Sequence, residues 1–104
     1  MMKLNEVITD LEGSPLTRFE YINGTSVEIP IKYSELLYSI GVKRIPKSDE
    51  EASNLYNLLK KLYSIIESKE TESNLSSSEI ELCKNLLTNQ KVIVRAKFLE
   101  MTGN

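Results

Sequence analysis

The stretch Ser48–Ser68, SDEEASNLYNLLKKLYSIIES, constrains this chain more than any other. Ala52, Leu55, Tyr56, Leu58, Leu59, Leu62, Tyr63, Ile65 and Ile66 recur at three- and four-residue steps, which is the period of an amphipathic helix. Its start is marked by Ser48 as N-cap, by Glu51 in the capping-box position, and by Asp49 and Glu50 at the positive end of the helix dipole. At about 100° per residue the apolar arc covers roughly half the circumference, wider than the stripe of an ordinary surface helix. Leu55, Leu59, Leu62 and Ile66 fall near its middle and are expected to face the core. Leu58 and Ile65 form one edge, and Tyr56 and Tyr63 the other. A chain of 104 residues has little spare structure to cover both edges, so the helix is expected to use more than one packing partner. These four residues are therefore the candidate protein interface, most simply with a second copy of the same chain.

Around this helix the remaining segments are shorter. Residues 3–11 fit either a strand or one helical turn. Asp10-Leu11-Glu12-Gly13-Ser14-Pro15-Leu16 reads as a turn, with Gly13 permitting positive φ and Pro15 fixing the exit. RFEYIN (18–23) and SVEIPI (26–31) read as two strands around the hairpin signal Asn23-Gly24. A three-residue loop, Asn23-Gly24-Thr25, sets Tyr21 opposite Val27 and Phe19 opposite Ile29. It is preferred because both apolar faces then coincide, as a half-buried hairpin requires. Pro30 has no N–H for a ladder and points to an edge strand. From Tyr33 the period lengthens, predicting a short helix near 33–40 that closes at Gly41. After the central helix, residues 69–74 read as a solvated loop. Ser76 and Glu79 then form a capping box, with Leu75 and Ile80 as a hydrophobic staple, for a helix ending near Asn89. Residues 91–101 fit both a strand and a helix.

The chemistry the chain lacks is informative. Without histidine it has neither the commonest general base nor the commonest metal ligand. Its single cysteine, Cys83, allows no internal disulfide and lies on an apolar helix face, where core packing is the expected role. No phosphate-binding glycine loop or nucleophile elbow occurs. The carboxylate pairs Glu79/Glu81 and Glu70/Glu72 fall in polar stretches and read as solvated surface. No enzyme activity, cofactor or metal is expected. Apolar runs are too short to span a bilayer, and no secretory signal is recognised at the N-terminus, so a cytoplasmic protein is expected. A net charge of −2 gives no global attraction to nucleic acid. A local basic cluster, Lys84, Lys91, Arg95 and Lys97, is the one candidate phosphate-contacting surface.

The 10–16 turn, the Leu55-Tyr56 and Lys60-Lys61-Leu62-Tyr63 pieces of the central helix, and Leu75-Ser76-Ser77-Ser78-Glu79-Ile80-Glu81-Leu82-Cys83-Lys84 together resemble small uncharacterised proteins of tailed bacteriophages and prophages. The resemblance implies a phage setting, in the cytoplasm of a bacterial host, and a closing helix over residues 91–101. It supplies no catalytic motif. Val-Ile-Val-Arg-Ala-Lys (92–97) departs from that group's smaller, less charged ending.

The expectation is thus one α+β domain spanning residues 1–104, with a hairpin region (1–32) packed on a bundle of three to four helices (33–104). Its function is expected to be that of a non-enzymatic accessory protein acting through protein–protein binding, in host or defence modulation or in assembly. The alternative is a small nucleic-acid-binding regulator using the basic cluster. Duplex DNA should be bound no better than by nonspecific binders, with Kd about 10⁻⁴–10⁻⁶ M at physiological salt. Titration of labelled duplex checks this. Submicromolar binding that disappears in a Lys91/Arg95/Lys97 triple-alanine variant would favour the regulator.

Overall fold

A computed structural model of the chain describes residues 2–69 and 73–103. Two antiparallel strands, β1 (Thr17–Ile22) and β2 (Thr25–Pro30), precede four helices: α1 (Tyr33–Lys43), α2 (Asp49–Ser68), α3 (Ser77–Leu86) and α4 (Val92–Met101). The architecture is α+β, a hairpin region followed by a four-helix region. Residues 92–101 are helical, as the resemblance implied. Glu70 and Glu72, with Thr71 between them, lie outside the described residues. At the far end of the expected 69–74 loop Ser73 is buried, not solvated, and exchanges backbone hydrogen bonds with Met2 (2.9 and 2.8 Å).

The helix starts follow local chemistry. Ser48 Oγ accepts from the Glu51 N–H at 3.1 Å, capping α2. The Glu51 side chain does not complete a capping box. It accepts instead from Arg44 Nε at 2.9 Å, tying the end of α1 to the start of α2. At α3 the box is complete: Glu79 N–H donates to Ser76 Oγ, and Ser76 N–H donates to Glu79 Oε1 at 2.7 Å. Helix α3 stops at Leu86, short of Asn89, where the Thr88 hydroxyl donates to the Asn85 carbonyl and the backbone turns.

Helix α1 runs through Gly41 to Lys43 and does not close there. The glycine serves close approach. A Cβ at this position would lie 2.7 Å from Leu59 Cδ2 and 3.6 Å from Leu55 Cδ1, so its absence lets α1 lie against α2. Farther along the same contact, Tyr38 and Tyr63 stack at a 6.0 Å centroid distance, tilted 45°.

Residues 2–16 form no named strand or helix, and residues 3–6 make one hydrogen-bonded turn, Glu6 N–H donating to the Lys3 carbonyl at 3.2 Å. They are an irregular segment with isolated bridges, Met2 to Ser73, Val7 to Lys32 and Thr9 to Pro15. The segment is nonetheless core: Leu4 and Ile8 are buried in one cluster with Leu37, Leu58, Leu62, Leu87 and Phe98. It also serves two helix ends. The Leu4 carbonyl accepts from the Ser34 N–H at 2.8 Å, satisfying an orphan donor of α1, whose N-cap residue Lys32 supplies no side-chain bond. Asn5 Nδ2 donates to the Ile65 carbonyl in the last turn of α2 at 2.8 Å, while Asn5 Oδ1 accepts from the buried Ser34 hydroxyl at 2.5 Å. Helix α4 is held by the Tyr33 hydroxyl, which donates to the Val94 carbonyl at 2.7 Å, and by the Tyr33–Phe98 ring contact at 5.7 Å.

The hairpin corrects the expected register. Arg18 pairs with Ile29, Phe19 with Glu28, Glu20 with Val27 and Ile22 with Thr25 across the two-residue loop Asn23-Gly24. Both loop residues have positive φ (52° and 79°), as a type I′ turn needs. The three-residue loop requires that one face of the hairpin is buried. That premise fails: along both strands only Glu20 and Ile29 are even partly buried. With no face to bury, the intrinsic preference of Asn-Gly sets the register.

Asn5→Ala should lower stability by about 1–3 kcal/mol, because the buried Ser34 hydroxyl loses its acceptor and Ile65 a donor. Ser48→Ala should cost about 0.5–2 kcal/mol through the lost cap. Urea unfolding of the two variants checks both, and an unchanged midpoint for Asn5→Ala would mean the N-terminal segment does not hold the helices.

Candidate functional site

The structure separates the four residues of the expected interface. Leu58 and Ile65 are 0% and 7% exposed and lie inside the core, so the aliphatic edge of α2 offers no surface. The buried face runs Leu55, Leu58, Leu62 and Ile65, displaced from the Leu55, Leu59, Leu62, Ile66 line expected from the wheel. The cause is the number of layers. Helix α1 lies over the Leu59 and Tyr63 side, and Leu58 and Ile65 belong to the same buried cluster as Leu4 and Ile8 of the N-terminal segment, Cys83 and Leu86 of α3 and Val94 and Phe98 of α4. Tyr56 and Tyr63 remain 62% and 53% exposed. Tyr63 leans on Tyr38, and the Lys60 ammonium sits 4.8 Å from the Tyr56 ring centroid, so each ring already has an intramolecular neighbour.

Of the basic cluster, Lys84 and Arg95 share a cleft, while Lys97 is engaged within the chain. Lys97 Nζ donates to Thr9 Oγ1 at 2.7 Å and to the Asp10 carbonyl at 3.1 Å, anchoring the N-terminal turn. Lys84 pairs with Glu81 at 3.1 Å. Lys84 and Arg95 line a small cleft of about 90 Å³ with Leu87, Phe98 and Leu99. Lys91 is the N-cap residue of α4, one turn before Arg95.

A larger groove of about 700 Å³ runs between the N-terminal half of α2 and α3, where Arg44, Glu51, Asn54, Asn57, Glu79 and Asn85 contribute polar groups. Its best-placed carboxylates are already engaged. The hydrogen bond and charge of Arg44 hold the Glu51 carboxyl below its usual range. At Glu79 partial burial pushes the other way, but the Ser76 N–H and hydroxyl and the Lys61 ammonium, 3.0 Å away, outweigh it and leave the pKa lowered. Glu79 thus serves as cap and ion pair, and Glu81 as the partner of Lys84. Among the described residues no group of three or more His, Cys, Asp or Glu is placed to hold a metal ion. Among them, too, no helix is long and apolar enough to cross a membrane.

The surface that sequence reasoning missed is the hairpin. Phe19 and Tyr21 are 72% and 83% exposed on one face, and Ile22 and Val27 are largely exposed on the other. The strands pair with each other and project from the helices. Their base is fixed by a triangle of backbone bonds: Ile31 N–H to Leu16 C=O (2.9 Å), Leu16 N–H to Ile8 C=O (2.8 Å) and Ile8 N–H to Ile31 C=O (2.7 Å). A signal was present. In the Asn-Gly register Phe19 and Tyr21 share a face with Glu28 and Ser26, while Val27 and Ile29 share one with Arg18 and Glu20, so neither face is apolar enough for a core. No family model, curated protein or solved structure matches the chain.

Two buried protonated groups set the response to alkali. Burial, with the Glu100 charge adding, pushes the Tyr33 hydroxyl from 10.0 to about 12. Burial, with Glu79 adding, pushes the Cys83 thiol from 9.0 to about 12. Both hold their protons longer folded than unfolded, so the folded state binds more protons in this window and stability falls as pH rises. The loss should begin near the 9.0 of the unfolded thiol and continue to about 12. Urea midpoints across this range should show it, and Cys83→Ala should delay the onset towards the 10.0 of the unfolded tyrosine.

Proposed function

We propose that this chain is a non-enzymatic protein-binding module of phage or prophage origin, acting in the bacterial cytoplasm, with the β1–β2 hairpin as its contact element. The observation that carries the reading is the exposure of Phe19 and Tyr21 on a hairpin whose strands have no helix packed along either face. A two-stranded hairpin is only marginally stable in water by itself. Large aromatic side chains left in solvent on such an element are the usual anchors of protein interfaces. The Tyr56/Tyr63 edge of α2 is the flanking surface, partly satisfied within the chain. The sequence resemblance supports the phage setting, where host or defence modulation and assembly assistance are the two roles such a module would serve.

The test compares two double variants with the wild-type chain for complexes recovered from phage-infected bacteria. Phe19→Ser/Tyr21→Ser should keep its unfolding free energy within about 0.5 kcal/mol of wild type for each substitution, since the rings are exposed, yet lose the complex. Tyr56→Ala/Tyr63→Ala should retain it. The opposite pattern would move the contact to α2, and the absence of any complex, including one between copies, would end the reading.

A further inference from the structure

The hairpin has two open edges, and they are not equivalent. In an antiparallel pair alternate residues direct both N–H and C=O to the partner strand. The two-residue loop makes Ile22 and Thr25 the first bonded pair, so Arg18 and Glu20 also bond across to β2, and the Leu16 carbonyl continues the same parity by accepting from Ile31 N–H. Thr17, Phe19 and Tyr21 therefore direct their backbone groups outward from β1. On β2 the outward set is Ser26, Glu28 and Pro30. Pro30 has no N–H to offer, which closes that edge as edge prolines do. The outer edge of β1 carries no proline and no bulge.

We propose that this edge pairs with the same edge of a second copy of the chain, making a continuous four-stranded antiparallel sheet across a two-fold axis, an inference that rests on the hairpin being the protein-binding element. The charge pattern of β1 selects both the occupant and the register. Outward groups meet only when odd-numbered residues oppose odd-numbered ones, and two such registers overlap most of the strand. One sets Glu20 against Glu20 of the second copy, a like-charge contact in the closest, non-bonded position. The other sets Phe19 against Phe19 and Tyr21 against Thr17, and it places Arg18 of each copy opposite Glu20 of the other. Arg18 and Glu20, already paired within each chain, would then join a four-charge network across the axis. On the opposite face Phe19 and Tyr21 of both copies would meet, covering the rings that are most exposed in the isolated hairpin. The Arg-x-Glu spacing is thus complementary to itself in an antiparallel pair.

The interface is small, so sedimentation equilibrium should be run up to about 1 mM chain, the range of weak contacts. Wild-type chain should show a monomer–dimer equilibrium. Arg18→Glu and Glu20→Arg should each weaken it by about tenfold or more, because each places like charges opposite at both symmetry-related positions. Mixing these two variants should restore the dimer as a heterodimer, since one contributes only carboxylates and the other only guanidiniums. Glu28→Arg, on the far strand, should leave association unchanged. A wild-type chain that stays monomeric throughout overturns the proposal. If its Phe19→Ser/Tyr21→Ser variant still loses a complex with a different protein, the binding role of the hairpin stands and its occupant is another protein's strand. A dimer insensitive to every hairpin variant overturns the proposal, and if complexes with other proteins also survive those variants, the hairpin's binding role falls with it.

Discussion

The fold depends on hydrogen bonds made by two adjacent residues near the N-terminus. Leu4 offers its carbonyl to the first turn of α1, and Asn5 offers its amide to the last turn of α2 while accepting from Ser34. Helix ends leave backbone groups without intrahelical partners, and here a segment with no regular structure supplies some of them. The same segment inserts Leu4 and Ile8 into the core. It therefore acts as a packing layer and a clamp at once. Burying a large aliphatic such as Leu4 or Ile8 is worth about 1.5–3 kcal/mol relative to leaving it in water.

The pairing of α1 with α2 shows how a single missing side chain sets a helix contact. Gly41 costs helix stability relative to alanine, by about 0.5–1 kcal/mol, but it opens the space that Leu59 occupies. The Arg44–Glu51 ion pair beside it takes the side chain that would have closed the capping box at Ser48. Local and tertiary demands thus compete for Glu51, and the tertiary contact prevails because Ser48 caps the helix without help.

The hairpin follows a different economy. It is anchored at its base by three backbone bonds around Ile8, Leu16 and Ile31, and beyond that point it depends on its own ladder and turn. One edge is closed by Pro30 and the other is left open. An open, proline-free edge presents unpaired N–H and C=O groups as a template for another strand, and it is this edge that the proposed dimer uses.

Local chemistry was legible in the residues themselves. The period of 48–68, the caps at Ser48 and Ser76, the 10–16 turn and the burial of Cys83 follow from side chains acting within a turn or two of their own backbone, and these are as expected. The α+β class follows from the change of period at Tyr33. What only the tertiary structure decided is which part of a wide apolar arc faces inward, because that depends on how many layers surround the helix. The irregular segment 2–16, which places Met2, Leu4 and Ile8 in the core, has no period to betray it. The same cause reversed two expectations of burial. Leu58 and Ile65, expected outside, are covered by residues distant in sequence. Phe19 and Tyr21, expected half-buried, stand in solvent, covered by no element among the described residues. Sequence determines what each segment prefers locally. Burial is a property of the neighbours, and those are assembled only by the fold.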